Sequence, residues 1–346
     1  MSCKKTIINK PDEIVDELKI RQLADTIGFA QYEWQMDSII SRLNFDDKKT
    51  TKEIYKAVIC PHDDYTYAAG LFNKTLKGIK AKTIVLIGVA HKAKKFNLEN
   101  KLVFGSFNEW KSAYNTLKVS PLRDKLLEKM TQKTYIVHDS MMQLEHSLEA
   151  INPFLHNNNP EVEIIPLLVP YFTFENMEVF SEELSKALYA LMKEENLSFG
   201  KDIAIVISND AIHYGNEGWG SANLAPFGVD DLGIEKVKQK ELTIINECLV
   251  GELNLEKIKN FNHYTVKADN FKEYKWTWCG RYSVPFGLLC ANKLNNLIEN
   301  KSLTGILIDY RSSYHNVHIK VKDLGMGQTA PANQNHWVGY VGMKYK

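Results

Sequence analysis

The sequence predicts a layered α/β fold with a largely parallel central sheet flanked by helices. Four short apolar runs, Ala57–Cys60, Ile84–Ile87, Ile164–Val169 and Ile203–Ile207, have the length and unbroken hydrophobicity of strands buried on both faces. Stretches with helical apolar spacing lie between them, and strand alternating with helix is the pattern of parallel crossover units. The chain has 346 residues, 44% of them hydrophobic and 25% charged, enough to bury one large core.

Taken in order, residues 1–51 read as an N-terminal helical extension. Asp12–Leu18 and a second stretch ending in Ile39–Leu43 carry apolar residues at helical spacing. From Lys56 the strand runs begin, and residues 52–346 read as one α/β domain. Helices are expected around Leu71–Ile79, Pro121–Met130, Glu145–His156 and Glu175–Glu194, and again over about Val284–Asn296. Gly305–Tyr310 and Trp337–Tyr345 are expected as antiparallel C-terminal strands. No internal repeat, low-complexity tract or Gly/Ser/Pro-rich linker divides the chain.

Charge and cysteine usage narrow the function classes. Lys and Arg number 43 against 42 Asp and Glu, a net charge of +1, so nothing draws the whole protein to nucleic acid or an anionic membrane. The early lysines are not followed by the apolar core of a secretory signal, and no segment approaches the roughly 18 apolar residues of a spanning helix. The five cysteines (Cys3, Cys60, Cys248, Cys279, Cys290) are few, odd in number and scattered. They read as reduced thiols in a cytoplasmic protein.

Reactive side chains gather where the strand runs end, the place where open α/β sheets keep their sites. Cys60 leads into Pro61-His62-Asp63-Asp64-Tyr65, Gly88 into Val89-Ala90-His91, and Ser208 into Asn209-Asp210-Ala211-Ile212-His213. Glu145-His146-Ser147-Leu148-Glu149 opens an expected helix, where the i, i+4 glutamates also suit a solvated face. Asp210 and His213, at i, i+3, suit a carboxylate orienting an imidazole, or an N-cap. Cys279 lies at a loop-to-helix boundary beside Arg281, a setting that favours thiolate; its plainer reading is a small buried hydrophobe. That plainer reading fits Cys248 and Cys290, and Cys3 reads as a terminal thiol. His315 and His318 read as surface-loop residues. Walker, dinucleotide-binding, Cys-x-x-Cys and Gly-x-Ser-x-Gly motifs are absent.

In this order, Pro61-His62-Asp63-Asp64-Tyr65, Gly88-Val89-Ala90-His91, Glu145-His146-Ser147-Leu148-Glu149, Asn209-Asp210 with His213-Tyr214, and Cys279-Gly280-Arg281 resemble the Memo-like family. Its prokaryotic branch is called AmmeMemoRadiSam system protein B. The resemblance spans about Val58 to Tyr345. It implies a fold similar to that of class III extradiol dioxygenases and metal ligands at His62, His91 and Cys279. It also implies an outer pair at Asp210 and His213, iron or copper chemistry, and AMMECR-type and radical SAM proteins as partners. The chain departs from the family pattern at Asp63-Asp64, at Val89-Ala90 and at Asn209.

From this follows a non-haem iron- or copper-dependent oxidoreductase acting on a small molecule. His213 would transfer protons, Asp210 would fix its tautomer, and Glu145 or His146 would position substrate. Two alternatives stand beside it. One is an adaptor that holds a peptide or partner in the cleft, with Tyr65, Tyr67, Tyr214 and Trp219 lining it. The other is a zinc hydrolase on the same ligands.

Overall fold

Ala57, Ile59, Val85 and Ile87 pack into one hydrophobic layer, while Val58, Cys60, Ile84 and Leu86 pack into another. A side-chain period of two, apolar on both phases, forces the sheet to be covered on both faces. The computed structural model describes residues 18–43 and 53–346, so the helical expectation over Asp12–Leu18 lies outside them, save for Leu18 itself.

A short strand, β1 (Ile20–Arg21), precedes helix α1 (Glu33–Leu43). The layered core opens with β2 (Ala57–Cys60), α2 (Tyr65–Leu76) and β3 (Thr83–Val89). Strands β4 (Leu102–Phe104), β5 (Glu109–Ser112) and β6 (Asn115–Val119) follow, then α3 (Leu122–Glu128), β7 (Tyr135–Val137), α4 (Asp139–Leu144) and α5 (Asn152–Asn158). The third and fourth predicted strands are β8 (Glu163–Val169) and β9 (Ile203–Ser208), joined by α6 (Phe174–Glu194). The remainder is β10 (His213–Gly215), α7 (Asp231–Cys248), β11 (Gly251–Glu252), α8 (Leu255–Thr265), α9 (Ser283–Glu299), β12 (Thr304–Ser312) and β13 (His336–Tyr345).

The sheet runs β1-β5-β6-β8-β3-β9-β2-β13-β12-β11. Its centre, from β6 through β8, β3 and β9 to β2, is parallel. β13 joins β2 and β12 joins β13 antiparallel, so the C-terminal strands are as expected. Helices α6 and α9 cover one face and α2 lies on the other, with α1 and α5 packed against it. No helix among the described residues is long and apolar enough to cross a membrane.

Two expectations need correction. Residues 145–151 form turns rather than a helix, and α5 starts only at Asn152. Side chains outcompete the helical backbone here: Glu145 Oε1 accepts the Ser147 N–H at 3.0 Å, and Ser147 Oγ donates to the Val89 carbonyl at 2.9 Å. Nor do Glu145 and Glu149 form a solvated face, because both are buried.

Candidate metal centre

In the sheet β9 lies between β3 and β2, with Cys60 of β2 in register with Ser208. Three neighbouring parallel strands therefore deliver His91, Asp210 and His62 to one rim. Cys279 arrives from the segment before α9. Its N–H donates to the Asp210 carbonyl at 3.0 Å, and the next N–H, that of Gly280, donates to Asn209 Oδ1 at 3.0 Å. A Cβ at position 280 would sit 2.3 Å from that same Oδ1, so only glycine permits the approach. One ligand atom each from His62, His91 and Cys279 then lie within 4.8 Å of one another.

The surroundings orient both imidazoles. Ser208 Oγ donates its hydrogen to the Ser147 carbonyl at 2.5 Å, so at 2.7 Å it accepts from His62 Nδ1. Glu145 Oε1 lies 2.8 Å from His91 Nδ1, while Oε2 accepts the His91 backbone N–H at 2.7 Å. A carboxylate only accepts, so His91 Nδ1 carries the hydrogen. Both rings thus present an unprotonated Nε2: that of His91 faces Cys279 Sγ at 3.4 Å, and that of His62 lies beside the Asp210 carboxyl group. Tying Nδ1 to an oxygen so that Nε2 can ligate is how metal-binding histidines are normally held. A thiolate with two imidazoles is a donor set for iron, copper or zinc rather than magnesium or calcium.

Asp210 serves His62, not His213. Its Oδ1 accepts the His62 N–H at 2.9 Å, and Oδ2 lies 3.3 Å from His62 Nε2. The expected pairing with His213 fails because residues 211–213 are extended rather than turned. Ala211 N–H donates to the Gly339 carbonyl, Ile212 bridges Trp278, and His213 N–H donates to the Thr277 carbonyl at 3.1 Å. His213 instead places Nε2 3.5 Å from Cys279 Sγ, with Nδ1 3.3 Å from the Ala211 and Thr277 carbonyls. His146 stacks on His91 with ring centroids 4.8 Å apart.

Burial governs the charge states. It holds His62 well below the usual imidazole range, helped by His91, His146 and His213. Burial likewise brings His146 and His213 down to about 4. Burial acts to raise Glu145, but its contacts with His91 prevail and hold it at about 2. Asp210 is pushed well above the carboxylate range by burial and by Asp63, and Asp64 is raised to about 7 by the same two effects. The Cys279 thiol is pushed up by burial and by Asp210, against the opposing pull of Arg281. The expected activation of Cys279 by its own surroundings is thus corrected. The Arg281 guanidinium sits 3.4 Å over the Tyr274 ring, and α9 begins only at Ser283.

A cleft of about 470 Å³ opens onto this cluster. His62, His91, His146, Asp210, His213 and Cys279 all line it, so every site residue read from the sequence except Glu145 faces one cavity. Glu145 lies behind His91. Of the four aromatics proposed to line it, only Trp219 does; Tyr65, Tyr67 and Tyr214 are buried. His315 and His318 are exposed loop residues, as read. Sequence reasoning missed several contributors: Ser208 as partner of His62, the wall formed by Ala24–Ile27 and Phe29, and the buried Arg21 behind it. A strand-terminal serine two residues before Asp210 was the one available signal. Nothing local marks the others.

A layered α/β protein with a candidate His₂Cys metal centre at the carboxyl rim of its parallel strands is the class that fold and site define. Comparison with known proteins narrows it: a family model described as Memo-like protein matches residues 30–327, and the chain belongs to that family. A MEMO1 family protein of Pyrococcus furiosus is 25% identical over 272 residues, covering 75% of this chain and 80% of that protein. One of Pyrococcus horikoshii is 23% identical over 291 residues, covering 80% and 88%. One of Aquifex aeolicus is 27% identical over 147 residues, covering 41% and 37%.

Proposed function

We propose that this Memo-like protein is a cytoplasmic, metal-dependent oxidoreductase that holds iron or copper through His62 Nε2, His91 Nε2 and Cys279 Sγ. The observation that supports it most is the orientation of both imidazoles: each Nδ1 is tied to an oxygen acceptor, which leaves each Nε2 unprotonated, and both rings line the same cleft as the thiol. A bound iron or copper ion would supply redox chemistry and polarise a small molecule entering from the cleft.

The chain's own groups have separate tasks. Ser208 and Glu145 hold the two ligand rings. His213, neutral and beside the thiol, accepts or returns a proton at Nε2, and His146 offers a second neutral imidazole on the other side of His91. Trp219 and residues 24–29 enclose the reacting volume. Free thiols at Cys60, Cys248, Cys279 and Cys290 suit a reducing compartment.

The test is elemental mass spectrometry on protein isolated without oxygen or chelator, for wild type and Cys279→Ala together. Near-stoichiometric iron or copper that is lost in the variant is the expected result. Zinc alone would turn the reading to a hydrolase. Equal metal in both proteins would remove Cys279 from the site. No metal in either, even after reconstitution, would leave an adaptor that uses the cleft for a partner.

A further inference from the structure

Glu241 of α7 is fully buried behind the cleft, and the chemistry proposed above makes no use of it. Its Oε1 accepts the indole N–H of Trp276 at 2.6 Å and of Trp278 at 2.7 Å. Its Oε2 accepts the Ile212 backbone N–H and the Tyr310 hydroxyl, both at 3.2 Å. Four donors converge on one carboxylate in the core, an arrangement that compensates its burial and fixes whatever carries the donors.

Two of those donors belong to the immediate neighbours of site residues. Trp278 precedes Cys279, and Ile212 precedes His213. The two segments are laced together directly: Ile212 bridges Trp278, His213 N–H donates to the Thr277 carbonyl, and Thr277 Oγ1 donates to the His213 carbonyl at 2.7 Å. Glu241 grips this pair from behind, one oxygen on each segment, while Cys279 and His213 present their side chains to the cleft in front.

We propose that Glu241 is a positioning residue that sets the 3.5 Å separation of Cys279 Sγ and His213 Nε2 by holding Trp278 and Ile212 in register. It rests on Cys279 and His213 being working members of the metal centre. Glutamine at 241 has the right size but the wrong valence: one of its two ends carries only donors, and every partner here is itself a donor. The Trp278→Phe variant keeps an apolar ring and removes one N–H, reaching the same clamp from the other side.

The experiment compares wild type, Glu241→Gln, Trp278→Phe and Leu188→Ala, the last a buried α6 residue that does not line the cleft and serves as a destabilised control. Two readouts are taken: anaerobic cobalt(II) affinity with its thiolate charge-transfer absorption, and alkylation of Cys279 by iodoacetamide in metal-free protein, resolved by peptide mass spectrometry. In Glu241→Gln, cobalt binding should weaken by about tenfold with a shifted absorption band, as for loss of other outer supports. Cys279 alkylation should quicken several-fold. Leu188→Ala should change neither readout at a comparable loss of Tm. If Glu241→Gln alkylates at the rate of Leu188→Ala, the positioning role is overturned. Should wild type itself take up no cobalt, the metal reading fails, and the alkylation comparison still decides the role of Glu241. If Glu241→Gln does not fold, Trp278→Phe carries the same comparison.

Discussion

Arg21 and Glu149 pair at 2.5 Å with both side chains shut off from water, and together they fasten residues 20–28 to the loop that carries Glu145 and His146. Arg21 Nε donates to the Met142 carbonyl at 2.8 Å, its Nη2 donates to the Glu145 carbonyl, and its guanidinium lies 4.2 Å over the Trp110 ring. Glu149 answers from the other side, accepting the backbone N–H groups of Ala24 and Asp25 at 2.6 and 3.0 Å. The cleft wall is therefore held by a buried ion pair as well as by the apolar packing of Phe29.

Removing one partner leaves the other charge buried and uncompensated. Arg21→Ala is expected to cost about 3–5 kcal/mol in chemical denaturation. Arg21→Lys keeps the charge but loses the fork that serves several carbonyls at once, and should fall between the variant and wild type. A loss under about 1 kcal/mol for Arg21→Ala would show that this pair does not hold the wall.

The outer partners of the ligands yield a second prediction. Glu145→Gln and Ser208→Ala each free a ligand ring to rotate or change tautomer, and each should weaken metal binding by about 10–100-fold. Competition with a chromogenic chelator measures this. Unchanged affinity in both variants would mean that the imidazoles are held by packing alone.

Metal uptake should depend on pH. Burial and Asp210 keep the Cys279 thiol protonated in the metal-free protein, so binding must expel that proton. Apparent affinity should then rise on the order of tenfold per pH unit for each proton released, across the range where the thiol stays protonated. A flat profile from pH 6 to 8 would contradict a thiol ligand, and Cys279→Ala should flatten it.

Glu241 gives a stability signature of its own. Burial raises it to about 7, with the two indoles, Ile212 and Tyr310 pulling it back down. The folded carboxyl holds its proton more tightly than the unfolded one, whose value is 4.5. Its contribution is fully present below about pH 4.5 and is lost as pH rises through about 7, a change on the order of 3 kcal/mol. Wild type should therefore lose ground to Glu241→Gln as pH increases over that window. Parallel stability–pH curves from the two proteins would remove this account.

Much of this site was legible because it follows from strand ends. His62 and His91 each stand two residues beyond a buried parallel strand, and a run of apolar residues on both phases announces such a strand without help from the rest of the chain. The helix Glu33–Leu43 was readable for the same local reason. What escaped depends on distant partners. Glu149 carries helical spacing to the eye, but Arg21, 128 residues away, turns it inward. Asp210 looked matched to His213 three residues on, yet its partner is His62, 148 residues back, across a strand pair that no local pattern encodes. Arg281 stands two residues from Cys279 in the chain, but three tyrosine rings, of Tyr274, Tyr282 and Tyr171, surround its guanidinium.

The main-chain lacing between residues 210–213 and 277–279 makes position 279 an interchangeable socket. Residue 279 itself contributes only its backbone N–H to that lacing, so its side chain can be exchanged while its neighbours keep the segment in place. An aspartate plugged into that socket would trade a soft donor for a hard one and tilt uptake away from copper toward iron or manganese, which competitive loading of Cys279→Asp would reveal. With Cys279 a ligand as proposed, metal choice would become a one-letter edit, separable from the architecture that surrounds it.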